Sequence, residues 1–199
     1  MNRSHSAARH RSPHRDQNRA QTRAQNRAQR GLTLIECVVT LAIIVITLGA
    51  AIPTFTQARE RRHLEGAAAQ LATDIHHARS LAVSHGAPVR LRVQQASDGS
   101  CYVVHTGSAG DCQCTGAGTS SCRGSGQALR TVGFERGGPV RLASNSASML
   151  FDADRGTVTP TGTLSLQLPS GATIRQIVNI MGRVRSCSPG AAVVGYVAC

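Results

Sequence analysis

Arginine is the residue type in this chain whose spacing points to chemistry. Gly182-Arg183-Val184-Arg185 closes the apolar run Ile177-Val178-Asn179-Ile180-Met181. In extended backbone Arg183 and Arg185 project to one side and Val184 to the other, while Gly182 permits a bulge or a close backbone approach. Two guanidinium groups about 6.6–7 Å apart along a strand suit the spacing of phosphates along one DNA strand, and each offers a planar fork of donors. A merely solvated strand face competes with that reading, since exposed arginine pairs are common.

Other groups carry less. His63, His76, His77, His85 and His105 fall in no HExxH pattern, and no Ser or Cys sits in a recognisable nucleophile setting. His76 and His77 are adjacent, so on a helix they point about 100° apart and do not chelate one ion. Asp152-Ala153-Asp154-Arg155-Gly156 resembles the first turns of a calcium loop. It lacks the later bidentate Glu and places Arg155 among the ligands, which favours a polar turn. The sequence therefore offers no catalytic grouping, metal site or cofactor motif, and an enzyme is disfavoured.

A long helix and many short strands must position these residues. Leu64, Ala68, Leu71, Ile75, Ala78 and Ala82 recur at helical steps, and Ser84-His85-Gly86 with Pro88 supply a stop. One helix from about Leu32 to Ser84 is expected. Beyond Pro88 the period becomes two, as in Val89-Arg90-Leu91-Arg92-Val93 and Leu164-Ser165-Leu166-Gln167-Leu168. Further strands are expected at Cys101–His105, Ala128–Glu135, Pro139–Ala143, Ser148–Asp152, Thr173–Arg185 and Ala191–Ala198. Residues 106–127, rich in Gly, Ser, Thr and Cys, read as a long surface loop. The fold class is α+β, a long N-terminal helix packed on a C-terminal antiparallel β-sheet domain.

From Cys37 to Ala58 there are 22 residues without formal charge. As a helix they span roughly 33 Å, close to the hydrocarbon thickness of a bilayer. Glu36 at the mouth of that segment costs about 2.5–3.5 kcal/mol if it lies deep in lipid, so a partner is expected for it. Residues 1–31 hold eight Arg against one Asp, a stretch that stays on the cytoplasmic side of a membrane. The rest holds 14 Arg against nine acidic residues and no Lys, a mild excess whose location matters more than its size. The chain divides into a basic leader at 1–31, a membrane half of the helix at 32–58, an exposed half at 59–85, and a β domain at 86–199. A secretory signal cut near Ala51 and a plain signal anchor compete with this division; Glu36 interrupts the apolar core that the first requires.

Six cysteines follow the membrane segment and would face an oxidising compartment: Cys101, Cys112, Cys114, Cys122, Cys187 and Cys199. An even number favours disulfides, with 15 possible connectivities. Cys187 and Cys199 bracket a short terminal segment and are the pair expected to join. Cys112, Cys114 and Cys122 match no common zinc spacing, so disulfides or free thiols are favoured over metal.

The junction Gly31-Leu32-Thr33-Leu34-Ile35-Glu36, behind a basic leader, resembles the type III signal of type IV pilins and pseudopilins. Pro53 stands where these helices often bend. The stretches ARSLAVSHGAPVRL, FDADRGTVTPTGTLSL and IVNIMGRVRSC resemble the GspH/FimT group of minor pilins and pseudopilins. The resemblance implies cleavage by prepilin peptidase between Gly31 and Leu32, N-methylation of Leu32, and pairing of Glu36 with the N-terminal amine of a neighbouring pilin subunit. It implies an inner-membrane protein before assembly, then a periplasmic and cell-surface pilus component of a Gram-negative bacterium. FimT-type members carry a GRxR motif that binds double-stranded DNA in natural transformation, and GRVR matches it at Gly182, Arg183 and Arg185. GspH-type members instead sit at the tip of a secretion pseudopilus. The Cys-rich insertion at 106–127 departs from the simpler family pattern.

Overall fold

Thr33 starts the helix. In the computed structural model, which describes residues 32–116 and 118–199 with the side chains of 50–54 left aside, Glu36 N donates to Thr33 Oγ1 at 3.3 Å and Cys37 N to Thr33 O at 3.2 Å. Thr33 is thus an N-cap, and Glu36 stands three residues on, where a carboxylate meets the positive end of the helix dipole. Gly31 and the leader lie outside the described residues. Helix α1 runs Leu34–His85. Two compact units divide the chain, residues 1–51 and 52–199.

In the first unit the apolar side chains Leu34, Ile35, Val45 and Ile46 are exposed. Among the described residues no helix is long and apolar enough to cross a membrane. The uncharged run 37–58 passes through residues 50–54, whose side chains are outside that description.

In the second unit α1 buries one stripe. Leu64, Ala68, Leu71, Ile75, Ala78 and Ala82 are all fully buried, as their helical spacing requires. They pack on two antiparallel sheets. The first has the strand order β5-β2-β1-β7-β8, from β1 (Val89–Ala96), β2 (Gly99–Thr106), β5 (Ala128–Glu135), β7 (Ser148–Phe151) and β8 (Val158–Thr159). The second has the order β11-β10-β9-β6, from β6 (Arg141–Ser144), β9 (Gly162–Gln167), β10 (Thr173–Val178) and β11 (Val184–Cys187). Val89, Leu91, Tyr102, Met149, Phe151, Leu164, Leu166 and Ile174 face the helix in one core. Every member of that core and all three disulfides lie between Leu64 and Cys199, so the residues from 59 on hold a complete hydrophobic core of their own.

Three expectations change. Residues 106–127 are not an open loop. They fold into a hairpin of β3 (Cys112–Gly116) and β4 (Thr119–Cys122), clipped across by Cys112–Cys122 and tied to β2 by Cys101–Cys114. The single strand expected at 173–185 is instead two strands, β10 and β11, turned on residues 179–183. The strand expected at 191–198 is a short 3-10 turn, Pro189–Ala191, followed by irregular chain held by a bridge between Ser188 and Ala198.

Candidate nucleic-acid interface

The turn between β10 and β11 is built by one asparagine and one glycine. Asn179 Oδ1 accepts from Arg183 N at 2.9 Å, Asn179 O accepts from Gly182 N at 2.9 Å, and Asn179 N donates to Arg183 O at 3.1 Å. Gly182 has φ +69°, left-handed backbone that an L side chain resists. A Cβ there would lie 2.7 Å from Arg79 Cδ and 3.4 Å from Gly156 O. The close approach expected of this glycine is therefore to a helix side chain as well as to backbone.

Arg79 is the residue that sequence reasoning passed over. Its Nε donates to Gly156 O at 2.9 Å, which ties α1 to the loop after β7. That loop is an Asx turn: Asp152 Oδ1 accepts from the backbone N of Asp154 at 3.1 Å and of Arg155 at 2.9 Å. Asp152 thus spends its carboxylate on its own backbone. Val158 N then donates to Ile180 O at 2.8 Å and joins the loop to the β10–β11 turn. The three sequence stretches that carry the family resemblance meet here, through Arg79, Gly156 and Gly182. The signal was present in the two glycines, each of which left room for something, but only the fold shows what fills it.

The register then places Arg185, and the turn places Arg183. Val184 pairs with Val178 and is half-buried against the core, while Arg185 pairs with Ile177 on the opposite face. Arg183 and Arg185 are both exposed. Arg185 Nη2 reaches Ala198 O at 3.4 Å, and the Arg183 guanidinium has no hydrogen-bond or ion-pair partner among the described residues. No Asp or Glu follows Asp154 in the chain, so no carboxylate on β9, β10 or β11 competes for these cations. Arg90 and Arg92, the other same-face pair, are half-buried and donate to Gly107 O and Ala109 O respectively.

The terminal segment is fastened beside this face. Cys187 and Cys199 are joined in a disulfide twelve residues apart. Ser188 Oγ donates to Thr173 O at 2.9 Å, and Arg61 Nη2 of α1 donates to Val194 O at 2.7 Å. Gln176, buried in β10, donates through Nε2 to Ala68 O at 3.0 Å and accepts from Ser186 Oγ at 2.7 Å, which fixes β11 to β10 and β10 to the helix. Replacing both Cys187 and Cys199 with Ser is expected to cost about 3 kcal/mol in the chain-entropy picture. Denaturant unfolding of the two proteins checks this, and non-reducing peptide mapping that finds both thiols free would refute the pairing.

At the other end, Leu32 and Glu36 are exposed, and the helix cap gives Glu36 a local electrostatic reason to stand where it does.

Comparison with known proteins places the chain in one family. The family model of type II transport protein GspH matches residues 67–182, more than half of the chain. The prokaryotic N-terminal methylation motif matches residues 26–52, which include Gly31, Leu32 and Glu36. The first match ends at Gly182, so Arg183 and Arg185 fall just past it. Crystal structures of the Pseudomonas aeruginosa type IV minor pilin FimU in two crystal forms are similar at 20% identity. One covers 67% of this chain and 98% of that one with a TM-score of 0.47; the other covers 65% and 99% with 0.44. No curated protein matches. The chain belongs to the GspH/FimT family of minor pilins and pseudopilins.

Proposed function

We propose that this minor pilin binds extracellular double-stranded DNA without sequence preference, through Arg183 and Arg185 on the turn built by Gly182, and assists DNA uptake in natural transformation. The observation that carries the reading is the pair itself: two exposed arginines two residues apart, one closing the β10–β11 turn and one on the edge strand β11, in a stretch with no Asp or Glu side chain after Asp154. Such a pair recognises phosphates, which carry no base identity. Base stacking would need an aromatic platform. Phe151 and Tyr102 are buried, Phe134 and Tyr196 pack against the core, and Phe55 is on the helix, so none is offered on this face. The test is equilibrium binding of residues 59–199 to two unrelated duplexes across a salt series. Similar affinities that fall with salt support the reading. A marked preference for one sequence or an absence of binding overturns it.

Family membership brings association with other pilin subunits. Processing is proposed with it: prepilin peptidase cuts after Gly31, Leu32 is methylated, and residues 32–58 cross the inner membrane once before assembly. Mass spectrometry of assembled protein is expected to find a chain that starts at Leu32, and substitution of Gly31 is expected to block the cut. A mature chain starting near Ala51 would instead identify a secretory signal. Glu36→Ala is expected to leave insertion intact and impair assembly, since it removes a charge from the apolar mouth together with its partner contact. A second reading, a GspH-like minor pseudopilin with a structural role at the tip of a type II secretion system, is equally consistent with the family model that matches.

A further inference from the structure

The arginine pair is not alone on its face. In β10, Ile174, Gln176 and Val178 point into the core, so Arg175 points outward and is exposed. Arg175 pairs with Cys187, and Arg185 pairs with Ile177, two residues along β10 from Arg175. Arg175 and Arg185 are therefore diagonal cross-strand neighbours, about 7–8 Å apart. Arg183 precedes Arg185 by two residues, at the end of the turn that leads into β11, and is exposed as well. Arg175 and Arg185 thus share one face of the second sheet, and Arg183 stands beside them where the turn enters β11.

Among the described residues no Asp or Glu side chain forms an ion pair with these three cations. Arg175 and Arg183 have no side-chain hydrogen-bond or ion-pair partner among the described residues, and Arg185 reaches only a backbone carbonyl. Like charges brought this close are a net cost in the isolated sheet, and a bound polyanion removes it. On β9 the residues opposite Arg175 and Ile177 are Ser165 and Thr163, whose hydroxyls add donors and no charge. Arg141 on β6 does not extend this group in the same way, since it shares a cleft with Glu135 and Arg136.

We infer that Arg175 is a third phosphate-binding residue, and that the DNA site is a track of three arginines crossing from β11 to β10 rather than the GRVR turn alone. The inference rests on the DNA-binding reading above and lengthens its footprint from two phosphates to three.

Salt-dependent duplex binding of residues 59–199 tests it, with R175Q, R175K, R183Q/R185Q and R123Q compared to the parent. Arg123, exposed beside the disulfide-clipped hairpin, is the charge-matched control. R175Q is expected to lower the log–log salt slope by about 0.9, which shrinks the affinity lost between 50 and 200 mM salt by about threefold. R175K is expected to keep the slope, because the charge survives, while it binds more weakly than the parent. R123Q is expected to bind as the parent does. If R175Q and the parent share one slope while R183Q/R185Q loses its own, the third contact is refuted and DNA binding by the pair stands. If R123Q flattens the slope as much as R175Q, binding follows total charge and the track is refuted. If R183Q/R185Q also binds like the parent, the DNA-binding reading itself fails. Thermal unfolding of each variant separates a lost contact from a lost fold.

Discussion

Replacing both Arg183 and Arg185 with Gln in residues 59–199 is expected to flatten the salt dependence of duplex binding by up to about 1.8 units of log–log slope. Parental binding is expected in the micromolar or weaker range typical of contacts dominated by phosphate. Loss of both contacts then takes the complex towards the limit of detection at physiological salt. Lys at both positions is expected to restore binding in part, because a compact ammonium retains the charge and loses the two-pronged geometry. The Arg90 and Arg92 pair is expected to matter less. Both already donate to the carbonyls of the segment after β2, so their role is to hold that segment down. A double variant at 183 and 185 that binds DNA as well as the parent would end the uptake assignment and leave the secretion pseudopilin as the better reading.

The second large effect is one of stability. Gly182→Ala is expected to destabilise the domain by about 2–3 kcal/mol. Left-handed backbone costs an alanine about 1–2 kcal/mol, and the new Cβ displaces Arg79, whose bond to Gly156 O is worth about 0.5–1.5 kcal/mol. Gly171 supplies the comparison. It too has positive φ, +93°, but a Cβ there meets nothing within 4 Å, so Gly171→Ala should show the backbone cost alone. A double-mutant cycle isolates the contact: in an Arg79→Ala background, Gly182→Ala should cost no more than Gly171→Ala. Equal costs for Gly182→Ala with and without Arg79 would show that the crowding plays no part. Because Gly182 also sets the direction of Arg183, the same substitution is expected to weaken DNA binding in protein that remains folded.

Legibility in the sequence followed the apolar pattern. The stripe from Leu64 to Ala82 was readable because each of its residues is buried on one helix face. Ala128–Glu135 was readable as a strand, and Val89–Val93 alternates in burial as it alternates in polarity. The hairpin at 112–122 was not readable, because its residues alternate between half-buried and exposed, with only Cys112 fully buried. Its strands are held by disulfides and backbone pairing, and three cysteines among polar residues do not announce their partners. The split of 173–185 was missed for a related reason. Ile180 and Met181, which read as the continuation of an apolar strand, sit at the tip of the turn with 58% and 52% of their surface exposed. The turn is specified by Asn179 and Gly182, polar and small residues that a hydrophobic count passes over. In the candidate site, the sequence offered Arg183 and Arg185 as a pair on one strand but not the turn that separates Arg183 from β11, and the places of Arg175 and Arg79 required the register between strands and the approach of the helix.

The knot around Arg79 also defines a load path. Tension applied to Arg183 enters the turn at Asn179 and Gly182, crosses from Ile180 O to Val158 N, and passes through the 152–157 loop to Gly156 O, where Arg79 Nε receives it. From there it runs into the part of α1 that packs on the sheets. A pull applied at Arg183 would thereby reach the helix through a short relay of hydrogen bonds, in parallel with the strand pairing of the second sheet. Weakening Arg79 would leave equilibrium affinity for DNA nearly unchanged and lower the force at which the turn peels from the helix.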